Sequence, residues 1–217
     1  MVEKAFQKTI LPTACFPNAA YLYYIQNSDK IFIELHETYP KQTWRNRYSI
    51  MTSNGVLDLT VPVKKPNGNY TKTAEVIIDY NQKWQINHWR AIESAYKKSP
   101  FFLYYEELVG QFFNSRIIDT LADWNLNILS SIAKEFDLNN EFSFTESYIH
   151  FYDDANDLRQ KISPKVKECE NIMIFPEYTQ VFMDKQAFKP NLSVIDLIFN
   201  LGPELKDYIS SIQEFRK

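Results

Sequence analysis

Residues 6–35 read FQKTILPTACFPNAAYLYYIQNSDKIFIEL, and the fold turns on them. Residues 6–16 have the composition of a short buried strand, running into a turn at Phe16-Pro17-Asn18. Asn18 carries the side chain of an N-cap, which predicts a helix over Ala19–Gln26. Lys30–Leu35 (KIFIEL) then returns as a second β-branched run. Strand, helix and strand within so short a span predict a βαβ crossover whose strands pair in parallel.

Outward from this unit, residues 46–63 carry a hairpin pattern, with Arg47–Met51 and Val56–Val63 flanking Ser53-Asn54-Gly55. A polar loop over 64–72 is the predicted flap, and Ala74–Ile78 reads as a third extended run. The period then becomes helical. Trp84, His88, Ile92 and Ala95 share a face, Ser99-Pro100 opens a helix over Phe101–Phe113, and Ser115 caps one from Arg116 to about Phe136. On that last helix Ile117, Leu121, Trp124, Ile128 and Ile132 form one face. The remainder alternates extended pieces (Ile172–Phe175, Thr179–Phe182) with helices at Asp154–Lys161, Val194–Leu201 and Glu204–Phe215. The expectation is an α/β fold in a single domain, 1–217. Its mixed sheet core, a βαβ start plus hairpin, lies in 1–80 and is packed with a mainly helical remainder in 81–217.

Composition narrows the function. Average usage of about 7% would give roughly 15 glycines, and this chain has 4. No G-x-G-x-x-G and no G-x-x-x-x-G-K-[ST] occurs, so neither glycine-built phosphate cradle is available. An anion must be met by side chains or by glycine-free turns. The balance of 24 Lys+Arg against 27 Asp+Glu opposes general nucleic-acid binding. Two cysteines, Cys15 and Cys169, make no disulfide framework and fit a reducing compartment. With no run of membrane-span length, the sequence predicts a cytoplasmic protein. Aromatic residues reach 16%, and their division among core, ligand and partner surface is open at this level.

Three constellations could carry chemistry. The densest is Tyr39–Arg47, where Lys41, Arg45 and Arg47 could hold a phosphate, Asn46 could orient it and Trp44 could stack on a ring. The alternative is a turn whose arginines pair with Glu34 and Glu37. The second is His88 among Trp84, Trp89 and Arg90, a candidate general base or else a satisfied core histidine. The third, Asp153–Asp157, has carboxylates suited to Mg²⁺ or Ca²⁺ but no EF-hand spacing, and acids at a helix start are commonplace. No zinc spacing is present, so no metal site is expected, and the residues name no cofactor.

These residues resemble the WbqC-like family of bacteria. The likeness runs from Cys15-Phe16-Pro17 and Tyr21 through Glu34, Glu37, Lys41-Gln42, Trp44–Arg47 and Leu59–Val63. It continues through Trp84, His88-Trp89, Tyr96, Ser99–Phe102 and Tyr178–Phe182, and closes on Asn191–Glu204 (NLSVIDLIFNLGPE). The resemblance implies bacterial origin and an association with surface-polysaccharide gene clusters, without an established reaction. The opening strand–helix–strand is also similar in layout to the HIGH-motif nucleotidyltransferases, but Pro17 and Tyr21 stand where those enzymes place histidines. The expectation is a possible transferase acting on a phosphate-bearing activated donor, with His88 as base and Lys41, Trp44, Arg45, Asn46 and Arg47 binding substrate. Its competitor is a non-catalytic binding or scaffold protein that recruits glycan-assembly enzymes.

Overall fold

The computed structural model describes residues 5–114, 118–139, 141–164 and 171–215. Ser115, Arg116, Ile117 and Cys169 lie outside them.

The opening unit forms as the sequence predicts. Strand β1 (Phe6–Pro12) leads to helix α1 (Ala19–Gln26) and strand β2 (Ser28–Glu34), and β1 pairs with β2 in parallel from Phe6↔Ser28 to Pro12↔Glu34. Asn18 caps α1, its side chain accepting from the Tyr21 amide at 3.0 Å. Tyr21 returns to the strand end, its hydroxyl donating to the Pro12 carbonyl at 2.7 Å. Helix α1 is buried from Ala19 to Ile25 because it is covered by the sheet and by the last helix of the chain, Leu205–Ser211.

The hairpin consists of β3 (Arg47–Thr52) and β4 (Gly55–Thr60), paired antiparallel as a separate two-stranded sheet. Residues 63–78 depart from the expectation. Only β5 (Val63–Lys64) and β6 (Ile77–Ile78) pair, while 3₁₀ turns occupy Gly68–Tyr70 and Thr73–Glu75. The Thr73 and Ala74 amides bond instead to the Glu37 and Leu35 carbonyls, fastening this loop beside the end of β2.

Three helices follow, α2 (Trp84–Tyr96), α3 (Phe102–Asn114) and α4 (Leu121–Glu135). Helix α4 begins at Leu121, later than expected, because Thr120 is its cap and accepts from the Asp123 amide at 3.1 Å. The four-stranded sheet then completes itself from the second half of the chain. Strand β7 (Phe142–Phe144) joins β2 and strand β8 (Asn156–Asp157) joins β1, both parallel, giving the order β7-β2-β1-β8. The expected helix over Asp154–Lys161 is therefore replaced by an edge strand, with Thr9↔Asn156 and Ile10↔Asp157 in register. Residues Thr179–Phe182 form no strand. The Tyr178 hydroxyl and Gln180 amide bond to the buried Asp196 carboxylate at 2.5 and 3.0 Å. Strands β9 (Met173–Ile174) and β10 (Gln213–Glu214) pair antiparallel around α5 (Val194–Leu201) and α6 (Leu205–Ser211). None of the described helices is long and apolar enough to cross a membrane.

Aromatic rings fill the core. Phe16 is 1% exposed with φ 41°, and its ring centroid lies 5.0 to 5.9 Å from those of Tyr48, Phe112, Phe113 and Trp124. Gly110 allows the approach of Trp89: a Cβ there would stand 3.3 Å from the indole. At Gly202 (φ 52°) a Cβ would come within 2.5 Å of the Phe101 ring. Gly202→Ala should cost about 1–3 kcal/mol through left-handed strain and overpacking. A urea midpoint within error of the wild type would contradict this.

Candidate functional site

The carboxyl ends of a parallel sheet, where the strand order reverses, are where such folds place ligands. Here the chain steps from β1 to β2 to β7, then crosses to the other side of β1 for β8. A two-lobed cleft lies at this end. One lobe, of about 470 Å³, is lined by residues that include His36, Glu37, Lys41, Arg45, Arg159 and Gln160. The other, of about 590 Å³, shares Glu37, Tyr148, Arg159 and Gln160 and adds Tyr152, Asp157 and Lys161. Four cations and two carboxylates line the cleft, a local positive excess on a chain of net charge -3.

Its floor is a buried ionic network. Glu34, the last residue of β2, is 0% exposed, and its Oε2 accepts from Arg159 Nη1 at 3.2 Å. Its Oε1 accepts from the His36 amide at 2.7 Å and from the Thr145 hydroxyl at 3.1 Å. Glu37 Oε1 accepts from Arg45 Nε and Nη2 at 2.7 and 2.6 Å. Burial pushes the Glu37 carboxyl up, and the Arg45 charge opposes that shift.

The two arginines differ in what remains free. Every donor of Arg159 is taken: Asp157 binds Nε and Nη2, Glu34 and the Ile149 carbonyl share Nη1, and the His150 carbonyl completes Nη2. Its guanidinium also lies 5.1 and 5.0 Å from the Tyr148 and Tyr152 ring centroids. Arg159 is thus a clasp that fixes residues 148–152 beside the cleft. Arg45 is only 2% exposed and spends Nε and Nη2 on Glu37 and the Arg159 carbonyl. Its Nη1 has no protein partner among the described residues, which leaves those donors for the cleft that Arg45 lines.

The residues singled out in the sequence fall into two groups. Lys41 and Arg45 line the same lobe, Lys41 exposed on its rim and Arg45 in its floor. The others point elsewhere. Trp44 lines a small cavity with Cys15 and Ser193, Asn46 donates to the Val61 carbonyl at 2.9 Å, and Arg47 faces Asp58 across the hairpin at 3.8 Å. His88 belongs to the aromatic core, with Nδ1 2.9 Å from the Tyr48 hydroxyl and its ring against Trp84 and Phe113. Of the acidic cluster, Asp154 pairs with Lys8 and Asp157 with Arg159. His36, Tyr148 and Arg159 also line the cleft, and no motif marks them in the sequence. Arg159 had a signal in the alternating Asp157-Leu158-Arg159, which suits a strand end as well as a helix.

Two other places could be taken for the site. The start of α1, where doubly wound folds seat a phosphate, is occupied by the chain itself. The Ala20 amide donates to Asn191 Oδ1 at 2.9 Å and the Ala19 amide to the Leu192 carbonyl at 3.3 Å. A larger cleft of about 700 Å³ lies between the end of α2 and residues 181–185. There Lys97 pairs with Glu93 at 3.4 Å at the end of α2, where cations have a structural reason to be.

Burial also sets the charge of His88, drawing its pKa down to about 4 from the ordinary 6.5, with a Thr60 backbone hydrogen bond in partial opposition. The native imidazole stays neutral where the unfolded chain binds a proton, so stability falls as pH drops from 6.5 toward 4. His88→Asn should remove up to about 3 kcal/mol of that dependence. Urea melts of both proteins at several pH values in this window measure it, and parallel slopes would refute it.

Sequence comparison agrees with the motifs. No solved structure matches the chain. An uncharacterized protein of Mycobacterium tuberculosis, Rv1507c, is 26% identical over 226 residues, covering 92% of this chain and 96% of that protein. The WbqC-like protein family model matches residues 13–172, which begin just after β1 and take in the whole 34–45 segment and Arg159. With the match spanning most of its length and every residue of the buried ionic network, the chain belongs to the WbqC-like protein family.

Proposed function

We propose that the chain is a transferase acting on a phosphate-bearing activated donor, bound in the cleft at the carboxyl end of the sheet. Arg45 is the observation that carries this reading: a buried guanidinium clamped by Glu37, with Nη1 unpaired at the cleft floor. Such a group is oriented before a ligand arrives, as stabilisation of a leaving phosphate requires. Lys41 on the rim supplies a second, mobile charge. Glu37 keeps Arg45 in position, and Tyr148 offers an aromatic wall. Trp44, Asn46 and Arg47 lie outside this cleft, and His88 is enclosed in the aromatic core. Surface-polysaccharide assembly in the cytoplasm is the setting that the family resemblance suggests, and the free, buried Cys15 fits a reducing compartment.

A second reading, a scaffold that recruits other enzymes, draws on Leu103 and Tyr104 of α3, 77% and 78% exposed. Thermal melts with a panel of sugar nucleotides and pyrophosphate at millimolar concentration decide between them. On the transferase reading at least one compound raises the melting temperature. Lys41→Ala, at an exposed residue with no ion pair among the described residues, then weakens that ligand about tenfold and leaves the unliganded melt unchanged. A flat panel favours the scaffold.

A further inference from the structure

We infer that His36 is the residue that accepts the proton from a hydroxyl-bearing acceptor in this cleft, an assignment that rests on the anion-binding reading above. His36 lies two residues beyond the end of β2, and two contacts hold it. Its amide is fixed by Glu34 Oε1 at 2.7 Å. Its Nε2 stands 2.9 Å from the Thr145 carbonyl oxygen. A carbonyl only accepts, so Nε2 carries the hydrogen, and the neutral ring has its lone pair on Nδ1. Nδ1 has no protein partner among the described residues, and His36 lines the lobe that holds Arg45 and Lys41.

The other two histidines lack this combination. His88 is enclosed by aromatic rings with Nδ1 at the Tyr48 hydroxyl, and its other bond goes to the Thr60 backbone. His150 is exposed, and its carbonyl is held by Arg159. Around His36 the charged groups are Glu34 at its amide and Glu37, Lys41, Arg45 and Arg159 along the cleft.

The step balances without a further reagent. The acceptor O–H bond breaks, with its proton passing to Nδ1, and the acceptor oxygen bonds to the donor carbon that carries the phosphate. The carbon–oxygen bond to phosphate breaks, its electron pair staying on the phosphate oxygen against Arg45 and Lys41. The acceptor in this step is an alcohol or sugar hydroxyl.

Nitrogen NMR on the isotope-labelled full chain, titrated with pyrophosphate near neutral pH, tests the assignment. In the free protein His36 should show the Nε2–H tautomer. Pyrophosphate should move its Nδ1 resonance and leave those of His88 in place. His36→Gln should keep pyrophosphate affinity within about threefold, since Nδ1 is not the anion's anchor, and should lower turnover of the most stabilising sugar nucleotide about 100-fold or more at unchanged KM. An Nδ1–H tautomer, an unmoved Nδ1 while pyrophosphate binds, or equal turnover in His36→Gln overturns the role of His36. Failure of pyrophosphate to bind at all overturns the anion-binding reading instead.

Discussion

Two glutamates three residues apart, Glu34 and Glu37, leave the end of β2 and become buried. A carboxylate in that position must find a cation and hydrogen-bond donors, or its desolvation opposes folding by several kcal/mol. The chain supplies one cation from nearby and one from far along the sequence. Arg159 comes from beyond β8 and Arg45 from the turn before the hairpin. Meeting this demand fixes the edge strand, the Pro40–Thr43 loop and residues 148–152 at one end of the sheet. Arg45 also touches the Arg159 carbonyl, which joins the two pairs into one network. The cleft is the space left above it.

A network of this kind limits which side chains remain chemically available. Arg159 has no donor left, so it serves shape rather than binding. Arg45 and His36 are each held by part of their polar edge and keep the other part unspent. The scarcity of glycine fits this division. Among the described residues backbone amides make no cradle, the start of α1 is filled by Asn191 and Leu192, and the polar atoms left open in the cleft belong to side chains oriented by buried partners. The aromatic excess is largely a core device, centred on Phe16 and its four ring neighbours.

The local features of the fold were legible and the distant ones were not. Asn18, the run Ala19–Gln26 and the β-branched Lys30–Leu35 specify a strand–helix–strand unit from within thirty residues. Helix α2 was likewise visible from the spacing of Trp84, His88, Ile92 and Ala95. Strand β8 was hidden because two paired residues make no period, and the acids around it imitate a helix start. The residues lining the candidate cleft were half legible. Lys41 and Arg45 stand out by residue type, but Asn46 and Arg47, adjacent in sequence, turn to Val61 and Asp58 because a strand begins there and alternates its faces. His88 was misleading for a related reason. A histidine on an apolar helical face has the composition of a catalytic residue and the surroundings of a core one. His36 gave no signal, since its tautomer depends on the carbonyl of Thr145.

The closure of α1 by Asn191 joins residues 171 positions apart. Its consequence concerns the order of folding. During synthesis the first crossover emerges early, yet its helix lacks partners for its leading amides, and β1 lacks its outer neighbour, until nearly the whole chain is available. Contacts of such long range close loops at an entropic cost that slows folding. The opening βαβ unit, the part most plainly written in the sequence, is therefore among the parts completed late in synthesis.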